Sequence, residues 1–176
     1  KNLVQKTPII KGNTFEDISI SHQLMALKLK NSIYQIDIDN NTFINSNFNT
    51  QYDGIGLEIN HESPEISFII SFNDCFFINN NKENKQHGGA ISVNNLMNRG
   101  NIALIVKDCY FEKNHKEGNG CAIYANIQQK ITIENCVFTD NYESEKGLIY
   151  IATDYEESSS LPILISQCHF NKNKID

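Results

Sequence analysis

A short motif recurs along this chain, and it narrows the accessible folds more than any other feature. The segments Asp74-Cys75-Phe76-Phe77-Ile78-Asn79-Asn80, Asp108-Cys109-Tyr110-Phe111-Glu112-Lys113-Asn114, Asn135-Cys136-Val137-Phe138-Thr139-Asp140-Asn141 and Gln167-Cys168-His169-Phe170-Asn171-Lys172-Asn173 share the form C-x-F-x-x-N. Two earlier copies carry Asn where the others carry Cys: Asn41-Thr42-Phe43-Ile44-Asn45-Ser46 and, more weakly, Asn13-Thr14-Phe15-Glu16-Asp17-Ile18. The Phe positions 15, 43, 77, 111, 138 and 170 lie 28, 34, 34, 27 and 32 residues apart. A period of this size marks a repeated supersecondary unit.

Ahead of each later copy stands an alternating apolar pair: Ile36 and Ile38, Ile70 and Phe72, Leu104 and Val106, Ile131 and Ile133, Ile163 and Ile165. Period two means strand. Between copies a second strand is announced by small residues, as in Gly88-Gly89-Ala90-Ile91-Ser92-Val93, Gly120-Cys121-Ala122-Ile123-Tyr124-Ala125 and Gly147-Leu148-Ile149-Tyr150-Ile151. Each unit then holds about three strands, and no helical periodicity recurs. Propeller blades need roughly 40 to 50 residues and four antiparallel strands, more than these units supply. The pattern therefore predicts an all-β, single-stranded parallel β-helix of five to six coils, in which equivalent strands pair in register ~4.8 Å apart and like side chains stack.

The stacks can be named from the spacing. Phe15, Phe43, Phe77, Phe111, Phe138 and Phe170 are expected in one buried aromatic column. Asn80, Asn114, Asn141 and Asn173 are expected at a corner, where Asn tolerates the left-handed backbone and stacked amides hydrogen-bond from coil to coil. Ser46 and Ile18 are expected to break that ladder. Cys75, Cys109, Cys136 and Cys168 share one inward position and read as a stack of small, reduced, buried hydrophobes.

These residues resemble the polymorphic outer membrane protein (Pmp) repeats, whose marks are an F-x-x-N and a G-G-A-[ILV] tetrapeptide in each coil. Phe-x-x-Asn is intact at 77–80, 111–114, 138–141 and 170–173. The glycine motif is intact at Gly88-Gly89-Ala90-Ile91 and degenerate at Gly120-Cys121-Ala122-Ile123 and Gly147-Leu148-Ile149. The resemblance spans about residues 13 to 173. It implies a right-handed β-helix that is surface-exposed or secreted, with adhesion as the family role in bacterial autotransporter passengers.

Composition bears on partners. A net charge of −6, with Arg99 as the only arginine, argues against a nucleic-acid groove, which needs clustered cationic side chains. The longest apolar stretch, near Ile66 to Phe72, is interrupted by Ser67 and Ser71 and falls well short of the ~20 residues that cross a bilayer. Five Cys without a CxxC pair argue against a zinc ribbon or a thioredoxin-type site. The chain opens on Lys1-Asn2-Leu3-Val4, without Met or the pattern of a signal peptide, and stops inside a repeat unit. One β-helix domain over residues 1–176 is expected, as a fragment of a longer repeat protein.

Several β-helices cleave polysaccharides, so carboxylate clusters matter. The outward column two residues before the Cys position reads Lys11, Asp39, Asn73, Lys107, Glu134 and Ser166. Opposite charges neighbour each other there, which suits strand pairing better than catalysis. Asp37 and Asp39 read as a solvated pair, Arg99 as an incidental loop residue, and His22, His61, His87, His115 and His169 share no column. No metal site and no cofactor are expected.

The sequence thus points to a non-catalytic cell-surface or extracellular β-helix segment, adhesive or spacing, whose partners are further coils of a parent protein and a surface glycan or protein receptor. A pectate-lyase-like or carbohydrate-binding β-helix is the alternative, and a subunit buried in a large assembly is another. In the glycine-motif strand, Glu58, Ser92, Tyr124 and Tyr150 alternate with the inward residues. Tyr124 and Tyr150 on adjacent coils are therefore the candidate binding pair, as flat exposed rings.

Overall fold

The computed structural model describes residues 7, 9–20, 25–29, 35–48, 55–61, 67–80, 89–94, 101–116, 119–127, 130–143, 147–152 and 162–175. Among these every regular element is a strand and every strand pairing is parallel. The chain winds as a parallel β-helix. Its first sheet joins Ile9–Lys11, Gln35–Asp39, Ser67–Asn73, Asn101–Lys107, Ile131–Glu134 and Ile163–Ser166, in that spatial order. A second sheet joins the six strands that carry the motif Phe, Thr14–Glu16, Thr42–Ile44, Phe76–Ile78, Tyr110–Glu112, Val137–Thr139 and His169–Asn171. The third, the glycine sheet, joins Met25–Leu29, Ile55–His61, Ile91–Asn94, Ile123–Asn126 and Ile149–Ala152. Beyond the three strands expected per coil, two-residue strands extend the corner after the phenylalanine sheet, at Ser19–Ile20, Asn47–Phe48, His115–Lys116, Tyr142–Glu143 and Lys174–Ile175.

Alternation fixes the register. A one-residue slip would turn every inward side chain outward, and Ile38, Phe72, Val106 and Ile133, paired in one row, are all fully buried. The motif Phe residues pair with one another along the whole second sheet. Their ring centroids lie 4.8, 5.2, 4.8, 4.7 and 5.0 Å apart from Phe15 to Phe170, with planes within 8° of parallel. The strand repeat of ~4.8 Å sets that spacing, and it falls within the favourable range for aromatic pairs. Phe72 of the first sheet meets Phe77 edge-on at 5.9 Å, tying two sheets across the core.

Two of the corners in each coil, those flanking the phenylalanine sheet, each use one residue at positive φ. The first set is Gly12, Asn40, Asp74, Asp108, Asn135 and Gln167; the second is Asp17, Asn45, Asn79, Lys113, Asp140 and Lys172. The ladder residues Asn80, Asn114, Asn141 and Asn173 are not among them, which corrects the expectation that they supply the left-handed turn. The residue just before each one turns the chain. That turn aims the ladder amide into the core, where Asn80, Asn114 and Asn141 are buried.

Glycine matters at one approach in particular. A Cβ on Gly89 would sit 1.9 Å from the Cys121 carbonyl oxygen, so the second glycine of the intact motif lets the next coil's backbone close in. A Cβ on Gly120, at φ +70°, would lie 2.3 Å from the Ile123 carbonyl oxygen, three residues on in its own coil.

Candidate binding faces and polar ladders

The amide ladder is regular. Each Asn Oδ1 accepts from the backbone N–H of the equivalent residue one coil earlier: Ser46 to Asn80 at 3.1 Å, Asn80 to Asn114 at 3.2 Å, Asn114 to Asn141 at 3.0 Å and Asn141 to Asn173 at 3.0 Å. Each Nδ2 donates to the motif Phe carbonyl of the earlier coil, at 3.0 Å for Asn80 to Phe43 and 2.9 Å for Asn114 to Phe77, Asn141 to Phe111 and Asn173 to Phe138. The second Nδ2 hydrogen reaches the next Oδ1 in line. Buried amides are tolerable only when so satisfied. Ser46 does not break this ladder as expected: its N–H donates to Asn80, and its hydroxyl accepts from the Ile18 N–H at 3.4 Å while donating to the Ile44 carbonyl. Ile18 ends it.

The Cys column is a second polar ladder. In the early coils Asn41 Nδ2 donates to the Ile10 and Asp39 carbonyls, and its Oδ1 accepts from the Asn13 N–H. Cys75, one coil on, places Sγ 3.3 Å from the Ile38 carbonyl and 3.2 Å from that of Asn73. Cys109, Cys136 and Cys168 repeat the arrangement against Phe72 and Lys107, Val106 and Glu134, and Ile133 and Ser166. The backbone N–H groups of Asn41, Cys75, Cys109 and Cys136 in turn face the sulfurs of the following coils. A single sulfur thus stands in for both ends of an amide, as weak donor and weak acceptor. The reading of these thiols as plain hydrophobes missed that role.

All five cysteines are free, with Cys75, Cys109, Cys121 and Cys136 buried and Cys168 half-buried. Burial pushes the Cys109 thiol well above its ordinary range, and a hydrogen bond from Cys109 lowers Cys75 and Cys136 on either side. Burial also raises Cys168.

The tyrosine pair is not the exposed platform expected from alternation. Tyr124 and Tyr150 do stack, at 5.7 Å with planes 6° apart, but Tyr124 is only 7% exposed and Tyr150 half-buried. Ser92 in the same outward row is 5% exposed, and the register sets Gly56, not the expected Glu58, beside it; the Glu58 side chain lies outside the described residues. Alternation states which way a side chain points, not whether something covers it.

An aromatic pair of one exposed and one half-buried ring occurs one sheet away. The position between the Cys and the motif Phe forms an outward row, Thr14, Thr42, Phe76, Tyr110, Val137 and His169. Phe76 is 43% exposed, and its ring lies 6.2 Å from that of Tyr110 with a 46° tilt. Partial loss of hydration, then the nearby Glu112 carboxylate, holds the Tyr110 phenol above its ordinary range, so it stays a neutral hydrogen-bond donor. Glu112 is ion-paired with Lys113 at 2.6 Å. This corner offers two ring faces, a hydroxyl and a paired charge. The signal was present in the motif, as the x of C-x-F in two successive units.

The carboxylates weighed for catalysis are engaged locally. Asp39 pairs with Lys11, Glu134 with Lys107 at 2.7 Å, and Asp37 accepts from Gln35 Nε2 at 2.7 Å. His169 lies in the outward row of the phenylalanine sheet, whereas His115 packs against the Tyr142 ring at 4.7 Å in the corner strands. His22 and His87, the His61 side chain and Arg99 lie outside the described residues. Among the described residues no three His, Cys, Asp or Glu side chains are grouped to hold a metal ion, and no helix is long and apolar enough to cross a membrane. No family model, curated protein or solved structure matches this chain.

Proposed function

We propose that this chain is a rigid, non-catalytic spacing segment of a cell-surface or extracellular β-helix protein of the Pmp-repeat kind. The observation that carries the reading is the unbroken register of the phenylalanine column, flanked by two polar ladders, through six coils. Each coil adds ~4.8 Å along the axis, so six make a rod segment roughly 25 to 30 Å long. Internal duplication of one 34-residue coil, four times over, should lengthen the particle by about 19 Å in small-angle scattering. A particle that swells without lengthening would defeat the rod reading. Antibody labelling of intact cells tests the location, and labelling only after permeabilisation would defeat it.

Phe76 and Tyr110 favour a second, adhesive use of the same rod. Ring faces beside a neutral phenol suit the C–H face and hydroxyls of a sugar, or an apolar side chain of a receptor. Phe76→Ala with Tyr110→Ala should abolish retention on a glycan array while leaving the β-sheet circular dichroism intact. Unchanged retention would leave the rod as a spacer alone.

A further inference from the structure

Asn40-Asn41-Thr42 has the form Asn-x-Ser/Thr, the acceptor sequence for an N-linked glycan. Of the chain's 25 Asn, Asn40 alone has Ser or Thr two residues on, so the pattern specifies one site. The fold leaves that site open. Asn40 stands at the corner between the first sheet and the phenylalanine sheet, exposed and at φ 51°. It lies in the second coil, whose strands in both sheets are paired on either side, so its exposure belongs to the corner and not to an end of the stack. Its backbone N–H donates to the Asn73 carbonyl at 2.9 Å, and among the described residues its side-chain amide makes no hydrogen bond. Other corner amides are engaged within the stack: Asn45 accepts from Asn79 at 2.6 Å, and Asn135 donates to Asp108. Asn41, one residue on, is fully buried and donates to the Ile10 and Asp39 carbonyls.

An aromatic ring lies beside the site. In the phenylalanine sheet Phe76 is the partner of Thr42 on the next coil, and its outward side chain is 43% exposed. Strand rise and strand spacing put the Phe76 backbone roughly 8 Å from that of Asn40, within reach of a sugar carried on the amide. The C–H face of a sugar ring packs on an aromatic ring as an apolar side chain does, so a glycan at Asn40 would cover Phe76.

We propose that Asn40 carries an N-linked glycan whose first sugar packs on Phe76. In the transfer, Asn40 Nδ2 displaces a lipid diphosphate from the anomeric carbon, C1, of a lipid-linked oligosaccharide. The Nδ2–C1 bond forms, the C1–O bond breaks with its electron pair leaving on the diphosphate, and one amide proton passes to a base of the transferase. The Thr42 hydroxyl is the group in the acceptor sequence that such a transferase reads. The inference rests on the extracellular or cell-surface reading, because only a chain that enters a secretory compartment meets that co-reactant. It gives the Phe76 face an occupant carried by the chain itself and leaves Tyr110 to a receptor.

Secretion of the chain from cultured eukaryotic cells, behind a cleavable signal peptide, measures the acceptor apart from the natural location. The product should carry one glycan, removed by peptide N-glycosidase with conversion of the acceptor Asn to Asp in the tryptic map. Asn40→Gln and Thr42→Ala should each abolish the modification and still fold, since Gln167 already occupies the equivalent corner at φ 54° and Thr42 points outward. The glycosylated chain should melt about 2 to 4 °C above the Asn40→Gln chain, and Phe76→Ala should keep the glycan but erase that difference. A secreted wild type without glycan, or a glycan that persists in Asn40→Gln, overturns the proposal, and a difference that survives Phe76→Ala overturns the packing on that ring. In protein from its own cells, a surface-labelled chain with bare Asn40 also overturns the site, whereas a chain that antibodies reach only after permeabilisation defeats the location reading instead.

Discussion

Asn114 is the most informative single position in the stack. Its side chain donates to the Phe77 carbonyl at 2.9 Å and to Asn141 Oδ1 at 3.0 Å, and accepts from Asn80 N–H at 3.2 Å and Asn80 Nδ2 at 3.0 Å. Truncation in Asn114→Ala strands two backbone groups, the Asn80 N–H and the ladder side of the Phe77 carbonyl, in a fully buried site. Asn80 Nδ2 keeps its bond to Phe43, and Asn141 Oδ1 keeps the Asn114 N–H, so those are not orphaned. At about 1 to 3 kcal/mol for each stranded group, the loss comes to about 4 kcal/mol. That is a large part of the roughly 5 to 15 kcal/mol that holds a domain together. Asn114→Ser should cost about half as much, because the Ser46 hydroxyl already fills this position one end of the ladder away. Asn173→Ala, at the half-buried end, should cost ~1 kcal/mol because water replaces its partners. Urea unfolding followed by circular dichroism measures all three. Equal losses below about 1 kcal/mol would mean that the amides decorate the stack without holding it.

Gly89→Ala should destabilise by at least about 3 kcal/mol, since its Cβ meets a backbone oxygen at 1.9 Å, whereas Gly12→Ala, with open space and only its φ of +70° against it, should cost ~1 kcal/mol. Thermal melts of the two variants compare them directly, and similar melting points would contradict the close approach. Cys136→Ser should retain more stability than Cys136→Val, because the hydroxyl keeps the donor toward the Glu134 and Val106 carbonyls; the reverse order in urea would restore the plain hydrophobic reading. In native protein Cys168 should react with a thiol reagent ahead of Cys75, Cys109 and Cys136. Burial favours its neutral thiol, so the rate should keep rising above the ordinary thiol range near ~8.5; peptide mapping that finds Cys109 labelled first would refute the burial order.

Much of the fold was legible because a stacked coil repeats its own chemistry. Ile38, Phe72, Val106 and Ile133 reveal their row by alternation, and the motif Phe residues reveal the register between coils. The turning residues were not legible. Asn79 and Asp140 belong to types that favour the left-handed region, but Lys113, Lys172 and Gln167 do not, and the neighbouring Asn drew attention to the wrong position. The thiols hid a polar role behind an apolar reputation, and the Asn13 and Asn41 copies, which carry the amide in the same row, were the clue. Tyr124 failed because burial depends on what lies over a sheet, which no periodicity encodes.

The direction of the hydrogen bonds has a mechanical consequence. Strand pairing and both ladders run along the axis of the stack, so a load applied across its two ends passes through every coil in turn. Links in series yield one at a time, weakest first. Each released coil of 27 to 34 residues would pay out about 9 to 12 nm of slack. Such a rod resists bending while it is intact and extends many times its own length once pulled, absorbing work at each step before the covalent chain itself is strained.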